Sequence, residues 1–445
     1  MPTIFEVDYM DSLNGHAEAT KARDTVLERI GIVNQSCIGA SLGSCGRRNA
    51  NEQNHLASAV REWLDLLNSK GVAESDIPSF TLDKCRWTYT VYSPMLLLPP
   101  TFLSKQSLRE LLAGPLSPEL LELWRIICRK LKVTHIAINK PIPAKAPNAS
   151  ASEGNPAEPN TLRSPTDLTP VYGDFGEANL PPTEENFQRA FWVSTVQNDI
   201  IQVWPPLYTM FSRGNIGEKA RLLKLLSPAS TSGGNSFLSQ SSGSSAVDLY
   251  AGIGYFAFSY VKAGLDRVLC WELNGWSIEG LRRGAKKNGW TTKTVLEDGP
   301  GDDTPSTTDQ TGNESANERL LIFNESNRNA AKRVQNLRSK IPPIRHVNCG
   351  YLPSSSGSWD VAVQVLDPLQ GGWIHAHENV GPQDMEQRRN HVVEIFRDLV
   401  CQCHKADFEA HGFHVKCQHV ERVKTYAPGV THVVFDIAIL PNTPR

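Results

Sequence analysis

Asp248, Gly252, Gly254 and Glu272 combine residue types and spacing that suit a nucleoside cofactor. The first three lie in Val247-Asp248-Leu249-Tyr250-Ala251-Gly252-Ile253-Gly254-Tyr255-Phe256, an apolar strand running into a glycine turn. Glycine at 252 and 254 lets the backbone pass close to a ligand and adopt positive φ. The helix expected next, over 255–263, presents unsatisfied amide groups at its start. A dinucleotide site needs G-x-G-x-x-G there, but its third glycine position is Ala257, and an acid precedes the turn. An acid in that place repels phosphate and suits a ligand carrying an ammonium and a sulfonium, which favours S-adenosylmethionine over NAD. Glu272 follows Cys270-Trp271 a little over 20 residues later. At the tip of the second strand it can accept both ribose hydroxyls. The bland alternative is a chance strand–glycine–helix turn with Glu272 merely solvated.

These residues need a framework of alternating strands and helices, and the segment after residue 245 supplies it. Strands are expected at 246–250, 267–271, 320–324, 345–352, 372–377, 414–423 and 432–439, with helices including 276–288 and 383–410. Five strands alternating with helices, then two in succession, predict a doubly wound α/β sheet closed by an antiparallel edge pair. The 445-residue length fits two domains. Residues 1–78 read as a variable N-terminal region with one helix near 56–68. Residues 79–226 read as a smaller α/β domain with a flexible Pro/Ala/Ser-rich insertion at 141–170. A Ser/Gly-rich linker, 227–245, leads to the catalytic domain, 246–445, which carries an acidic Thr/Gly-rich insertion at 297–317.

Composition excludes several classes. A net charge of -2 is wrong for a basic nucleic-acid coat, although a local basic groove remains compatible. No apolar run approaches the ~20 residues of a membrane span. The N-terminus lacks an apolar signal core. The 9 cysteines are scattered, which suits a reducing, cytoplasmic setting.

Several further strings resemble one family, the wybutosine-synthesis tRNA aminocarboxypropyltransferases, relatives of the tRNA guanine-N1 methyltransferases. They are RWTYTVYSPMLLLP (86–99), THIAIN (134–139), VYGDFG (171–176), FWVSTVQNDIIQVW (191–204), MFSRGNIGEKARLL (210–223), DLYAGIGYF (248–256), CWELN (270–274), LPSSSGSW (352–359), GGWIHAHENV (371–380) and RVKTYAP (422–428). The resemblance implies a seven-stranded Rossmann-like S-adenosylmethionine-dependent domain preceded by a smaller tRNA-binding domain. The implied reaction moves the 3-amino-3-carboxypropyl group to carbon 7 of 4-demethylwyosine beside the anticodon of phenylalanine tRNA, leaving 5′-methylthioadenosine. It also implies that Ser212 and Lys219 contact the methionine end of the cofactor, and that Glu272 holds the ribose. Asn327 matches the asparagine of an adenine-binding Asp-Asn pair, but here Ser326 stands in the acid's place. Arg213 and Asn379 are the candidate contacts to the base. His377 and Glu378, expected at the tip of the fifth strand, are candidates for accepting the carbon-7 proton. On its own helix, GEKARLL, Lys219 reads as an ordinary surface charge.

Cys401, Cys403, His404, His411, His414, Cys417 and His419 lack zinc-knuckle spacing, and no metal is expected. The basic clusters at 282–287 and 328–340 read by default as solvated helix faces. Tyr255, Trp373 and Tyr426 are aromatic candidates for stacking on a base. The rival readings are a tRNA guanine-N1 methyltransferase with the same fold and cofactor, and a non-catalytic tRNA-binding protein.

Overall fold

The computed structural model describes residues 55–71, 89–99, 118–138, 168–226, 243–296, 318–403 and 412–442. The expectations for 1–54, for 141–167, for the linker over 227–242 and for the insertion at 297–317 lie outside the described residues. Chain contacts divide the protein into two units, 1–158 with 166–176, and 159–165 with 177–445.

In the first unit, helix α1 (His55–Ser69) places Leu56, Ala59, Val60, Trp63, Leu64 and Leu67 on one stripe, all buried. That stripe shares a core with Leu123, Trp124 and Ile127 of α2 (Pro118–Leu131). Beneath them lies a four-stranded sheet in the order β1-β2-β3-β4, made of Thr90–Tyr92, Met95–Leu98, His135–Ile138 and Thr169–Tyr172. The insertion expected to reach residue 170 therefore ends earlier, because Thr169 and Pro170 already pair with β3.

The second unit opens with α3 (Glu184–Arg189), capped by the Thr183 hydroxyl, and the hairpin β5 (Val193–Gln197) and β6 (Ile200–Trp204). Asn198 and Asp199 form the two-residue turn with φ of 52° and 54°, as a tight hairpin demands. Then come α4 (Ile216–Leu226), β7 (Ser245–Asp248), α5 (Ala257–Lys262), β8 (Arg267–Trp271), α6 (Gly275–Lys287), β9 (Thr292–Leu296) and β10 (Leu320–Asn324). The remainder is α7 (Ala330–Leu337), β11 (Ile344–Cys349), α8 (Trp359–Val365), β12 (Gly372–Val380), α9 (Met385–Cys403), β13 (Phe413–Ala427) and β14 (Val430–Pro441).

The sheet order is β13-β14-β12-β11-β7-β8-β10-β9, parallel except where β14 pairs with β12 and β13. It has eight strands rather than seven. The added edge strand, β9, is short and polar (Thr-Lys-Thr-Val-Leu), so its sequence carries little strand signal. Apolar side chains fill both faces. Val247, Leu269 and Phe323 join the core that holds Trp359 and Phe396, while Ala246, Val268 and Ile322 join the one that holds Phe258 and Leu281.

Residues 177–226, expected with the smaller domain, belong to this second unit. Hydrogen bonds explain it: Asn288, at the end of α6, accepts from Ile201 N–H (2.9 Å) and donates to Ile201 O (2.7 Å). At its other end, α4 is fastened to the last strands. Arg221 bridges Glu218 (2.7 Å) and Asp436 of β14 (2.6 Å), and Asp436 also meets His375 Nδ1 at 2.7 Å. Burial opposes ionisation of Asp436, but His375 and Arg221 outweigh it and hold the carboxyl well below the usual range. Arg221→Met leaves both buried carboxylates short of a cation and is expected to cost about 3–5 kcal/mol in urea unfolding. A loss under about 1 kcal/mol, the range of exposed pairs, would show that the network does not hold α4.

Candidate active site

From β7 the chain runs outward through β8, β9 and β10 on one side and then crosses to β11 on the other, so β7 and β11 flank the switch point where such folds bind ligands. Asp248, the last residue of β7, is fully buried there. Its Oδ1 accepts from Asn348 Nδ2 of β11 (3.0 Å) and from Tyr250 N–H (3.3 Å). Its Oδ2 makes no hydrogen bond of normal geometry, although the Ala257 N–H also acts on the carboxylate. Burial raises its pKa to about 6, against the pull of those donors. Beyond it, Gly252 and Gly254 take φ of +54° and +90°, and a Cβ at Gly254 would meet the Phe258 ring at 2.7 Å. Positive φ and close packing both require glycine here. The helix that follows, α5, is shorter than the sequence suggested, starting only at Ala257.

Glu272 stands one residue past β8 and ties that turn together. Its Oε2 accepts the Gly252 N–H and its Oε1 the Asn274 N–H, each at 2.8 Å. Asn274 in turn caps α6 through Trp276 N–H (3.0 Å). Burial pushes the Glu272 carboxyl up. A carboxylate offers about four acceptor sites, so capacity remains beyond these backbone donors for a ribose hydroxyl. The loop after β10 joins from the other side, where Asn327 Nδ2 donates to Leu249 O (3.0 Å). Ser326 Oγ accepts the Arg328 N–H at 3.4 Å. Glu325 does not replace the missing acid, because its buried carboxylate is taken by Arg333 (2.9 Å) and Trp271 Nε1 (3.2 Å).

The loop ahead of α4 is stapled to the glycine turn by Tyr255. The Tyr255 hydroxyl donates to Met210 O and accepts the Ser212 N–H at 3.2 Å. Lys219, in the first turns of α4, is only 2% exposed, unlike the surface charge its own helix suggests. Its Nζ donates to Gln197 and to Gln202 (2.8 Å) of the β5–β6 hairpin and lies 5.4 Å from the Phe211 ring centre and 5.7 Å from that of Tyr255. Burial lowers its pKa to about 7. Arg213 is exposed, at the start of the short turn 213–215.

His377 and Glu378 sit inside β12 rather than at its tip, because pairing with β14 continues to Val380 opposite Thr431. His377 Nδ1 is hydrogen-bonded to His432 Nε2 (3.0 Å), and its ring meets the edge of Phe256 at 5.1 Å. Burial and the neighbouring His432 push its pKa well down, so the imidazole is neutral. Glu378 points to the other face, where Ser354 donates to it and Arg388 pairs with it at 2.8 Å. Asn379 shares the His377 face, opposite His432; its Oδ1 is buried without a partner, and its N–H donates to Pro353 O (2.8 Å).

Sequence reasoning missed Asn348, Gln197, Gln202, Lys424 and His432 as members of this region. The signal was present for His432: polar residues at alternate positions in an apolar strand, as at His375, His377 and Asn379, mark a polar face. Trp373 is core, 1% exposed, whereas Tyr426 is 50% exposed. Arg282 and Arg283 pair with Glu279, and Arg338 donates to Leu366 O and Gln364 O. Cys401 and Cys403 lie on α9, and His414, Cys417 and His419 on β13; His404 and His411 lie outside the described residues. No described helix is long and apolar enough to cross a membrane.

No protein-family model matches the chain. It is 40% identical over 318 residues to tRNA wybutosine-synthesizing protein 2 of Schizosaccharomyces pombe, covering 71% of this chain and 63% of that protein. It is 30% identical over 444 residues to tRNA wybutosine-synthesizing protein 2 of Saccharomyces cerevisiae, covering 89% of this chain and 84% of that one. A crystal structure of P. horikoshii TYW2 in complex with MeSAdo superposes with a TM-score of 0.46 at 18% identity, covering 86% of this chain and 99% of that one. With that identity sustained over most of the budding-yeast protein, the chain belongs to the tRNA wybutosine-synthesizing protein 2 family.

Proposed function

We propose that this protein transfers the 3-amino-3-carboxypropyl group of S-adenosylmethionine to carbon 7 of 4-demethylwyosine beside the anticodon of tRNA-Phe, in the cytoplasm, releasing 5′-methylthioadenosine. What supports the cofactor reading is that Tyr255 ties the loop before α4, the helix of Lys219, to the glycine turn braced by Glu272 and preceded by Asp248. A zwitterionic nucleoside fits that donor and acceptor set. Family membership carries the choice of reaction.

When bound, S-adenosylmethionine supplies a sulfonium whose attached methylene carbon is electrophilic. In this reading the protein holds and aims that carbon. Glu272 accepts the ribose hydroxyls, and Asn327 with Ser326 borders the adenine. Asp248 receives the cationic side through Oδ2, while Lys219 and Ser212 take the carboxylate. Holding two reactants in one geometry removes several kcal/mol of barrier, about 7 or more in favourable cases. The Nε2 of His377 is unpartnered on the face it shares with Asn379, and we assign it, rather than Glu378, to the carbon-7 proton. Glu378 is committed to Arg388 and Ser354. Arg213 and Asn379 are assigned to the base, and the smaller α/β domain to holding the tRNA.

The sulfur product decides the reaction. With S-adenosylmethionine and tRNA-Phe bearing 4-demethylwyosine, chromatography is expected to show 5′-methylthioadenosine accumulating in step with modified base. S-adenosylhomocysteine instead would make the protein a methyltransferase.

A further inference from the structure

We infer that Lys424 binds a backbone phosphate of the RNA strand next to the reacting base, an inference that rests on the proposed function. Three register shifts interrupt β13, and one falls between Arg422 and Lys424. Arg422 lies opposite Val433 and Lys424 opposite His432, so Val423 is the extra residue of a bulge. Without it Lys424 would oppose Thr431 and face the other side of the sheet. The bulge therefore aims Lys424 at the face carrying His432, Asn379 and His377.

There its Nζ stands 3.4 Å from Ser212 Oγ. Gly214 makes the room, since a Cβ at that position would meet Lys424 Cδ at 2.7 Å and Nζ at 2.8 Å. The lysine is half-buried, and burial lowers its pKa. Among the described residues it forms no ion pair. An ammonium withdrawn from water against a lone hydroxyl is costly until an anion arrives.

Two anions come to this crevice in the proposed reaction, the cofactor carboxylate and the RNA backbone. Lys219, buried beside Phe211 and Tyr255, is the cation already committed to the first. Lys424 belongs to a different setting. Just beyond it the hairpin overhangs the sheet, with residues 426–430 lying past the last β12 pair, Val380 with Thr431. Tyr426, two residues on in the same hairpin, is exposed, as is Arg213 next to Ser212. Cations beside an exposed ring are the chemistry that holds single-stranded nucleic acid, by phosphate pairing and base stacking.

The test compares wild type, Lys424→Met and Lys424→Arg for binding of tRNA-Phe carrying 4-demethylwyosine at a series of salt concentrations, with calorimetry for S-adenosylmethionine alone. Lys424→Met is expected to bind the tRNA more weakly, with the slope of log affinity against log salt smaller by about 0.7, the value for one phosphate contact on a single strand. Its cofactor affinity should match wild type, and Lys424→Arg should restore the slope. An unchanged slope in Lys424→Met overturns the inference. So does a loss of S-adenosylmethionine affinity at unchanged slope, which would assign the lysine to the cofactor carboxylate. Failure of the wild type to bind the tRNA instead sinks the proposed function itself.

Discussion

Lys219→Met is expected to weaken S-adenosylmethionine binding by tenfold or more while leaving 5′-methylthioadenosine binding unchanged. The two ligands differ by the aminocarboxypropyl arm, so a residue that holds only the carboxylate separates them. A hydrogen bond between charged groups is worth about 1.5–3 kcal/mol, and each ~1.4 kcal/mol is a factor of ten. The same lysine sets a pH dependence. Burial lowers its pKa from the ordinary 10.5 to about 7, so in the free protein it loses its proton as pH rises past neutrality. A carboxylate needs the ammonium form. S-adenosylmethionine binding should therefore weaken with rising pH above about 7, by roughly tenfold per unit, and take up a proton, seen as a buffer-dependent heat. The stability linkage runs the opposite way. Between about 7 and 10.5 the unfolded chain binds a proton that the native chain lacks, so stability rises with pH across that window. Equal weakening of both ligands in Lys219→Met, or binding that ignores pH, would remove Lys219 from the carboxylate.

Glu272→Gln should weaken both ligands alike, by roughly ten- to a hundredfold on the same scale. The two carboxylate oxygens each face a backbone N–H, from Gly252 and Asn274. A glutamine amide has one oxygen, so its NH2 end must confront one of those donors. The glycine turn loses a tether, and the ribose loses a charged acceptor. Because ribose is common to both ligands, calorimetry on the pair separates this residue from Lys219. Unchanged affinity for 5′-methylthioadenosine would show that Glu272 only braces the turn.

Much of this centre was legible because its parts are local. A strand, two glycines with positive φ and an acid at the next strand tip all fall within one strand–helix–strand unit. Asn348 was not legible, being 100 residues from the Asp248 it holds. Lys219 misleads for the same reason. Its own helix shows a charged, apparently solvated turn, and only the hairpin carrying Gln197 and Gln202 buries it. The expectation for His377 placed it at a strand tip because a strand's end depends on its partner, and β14 extends the pairing. Ser326 was visible as a departure, but the engagement of Glu325 by Arg333 depends on how α7 packs back against the end of β10.

The clamp of Arg221 on Asp436 joins groups 215 residues apart along the chain. At roughly 5–20 residues per second, a ribosome needs roughly 10 to 40 s to make the second after the first. Over that interval α4 keeps its ties to the β5–β6 hairpin but lacks the one to the last strands. The seam between the start of this unit and its last hairpin is therefore closed late, after the residues named for the cofactor have all been made.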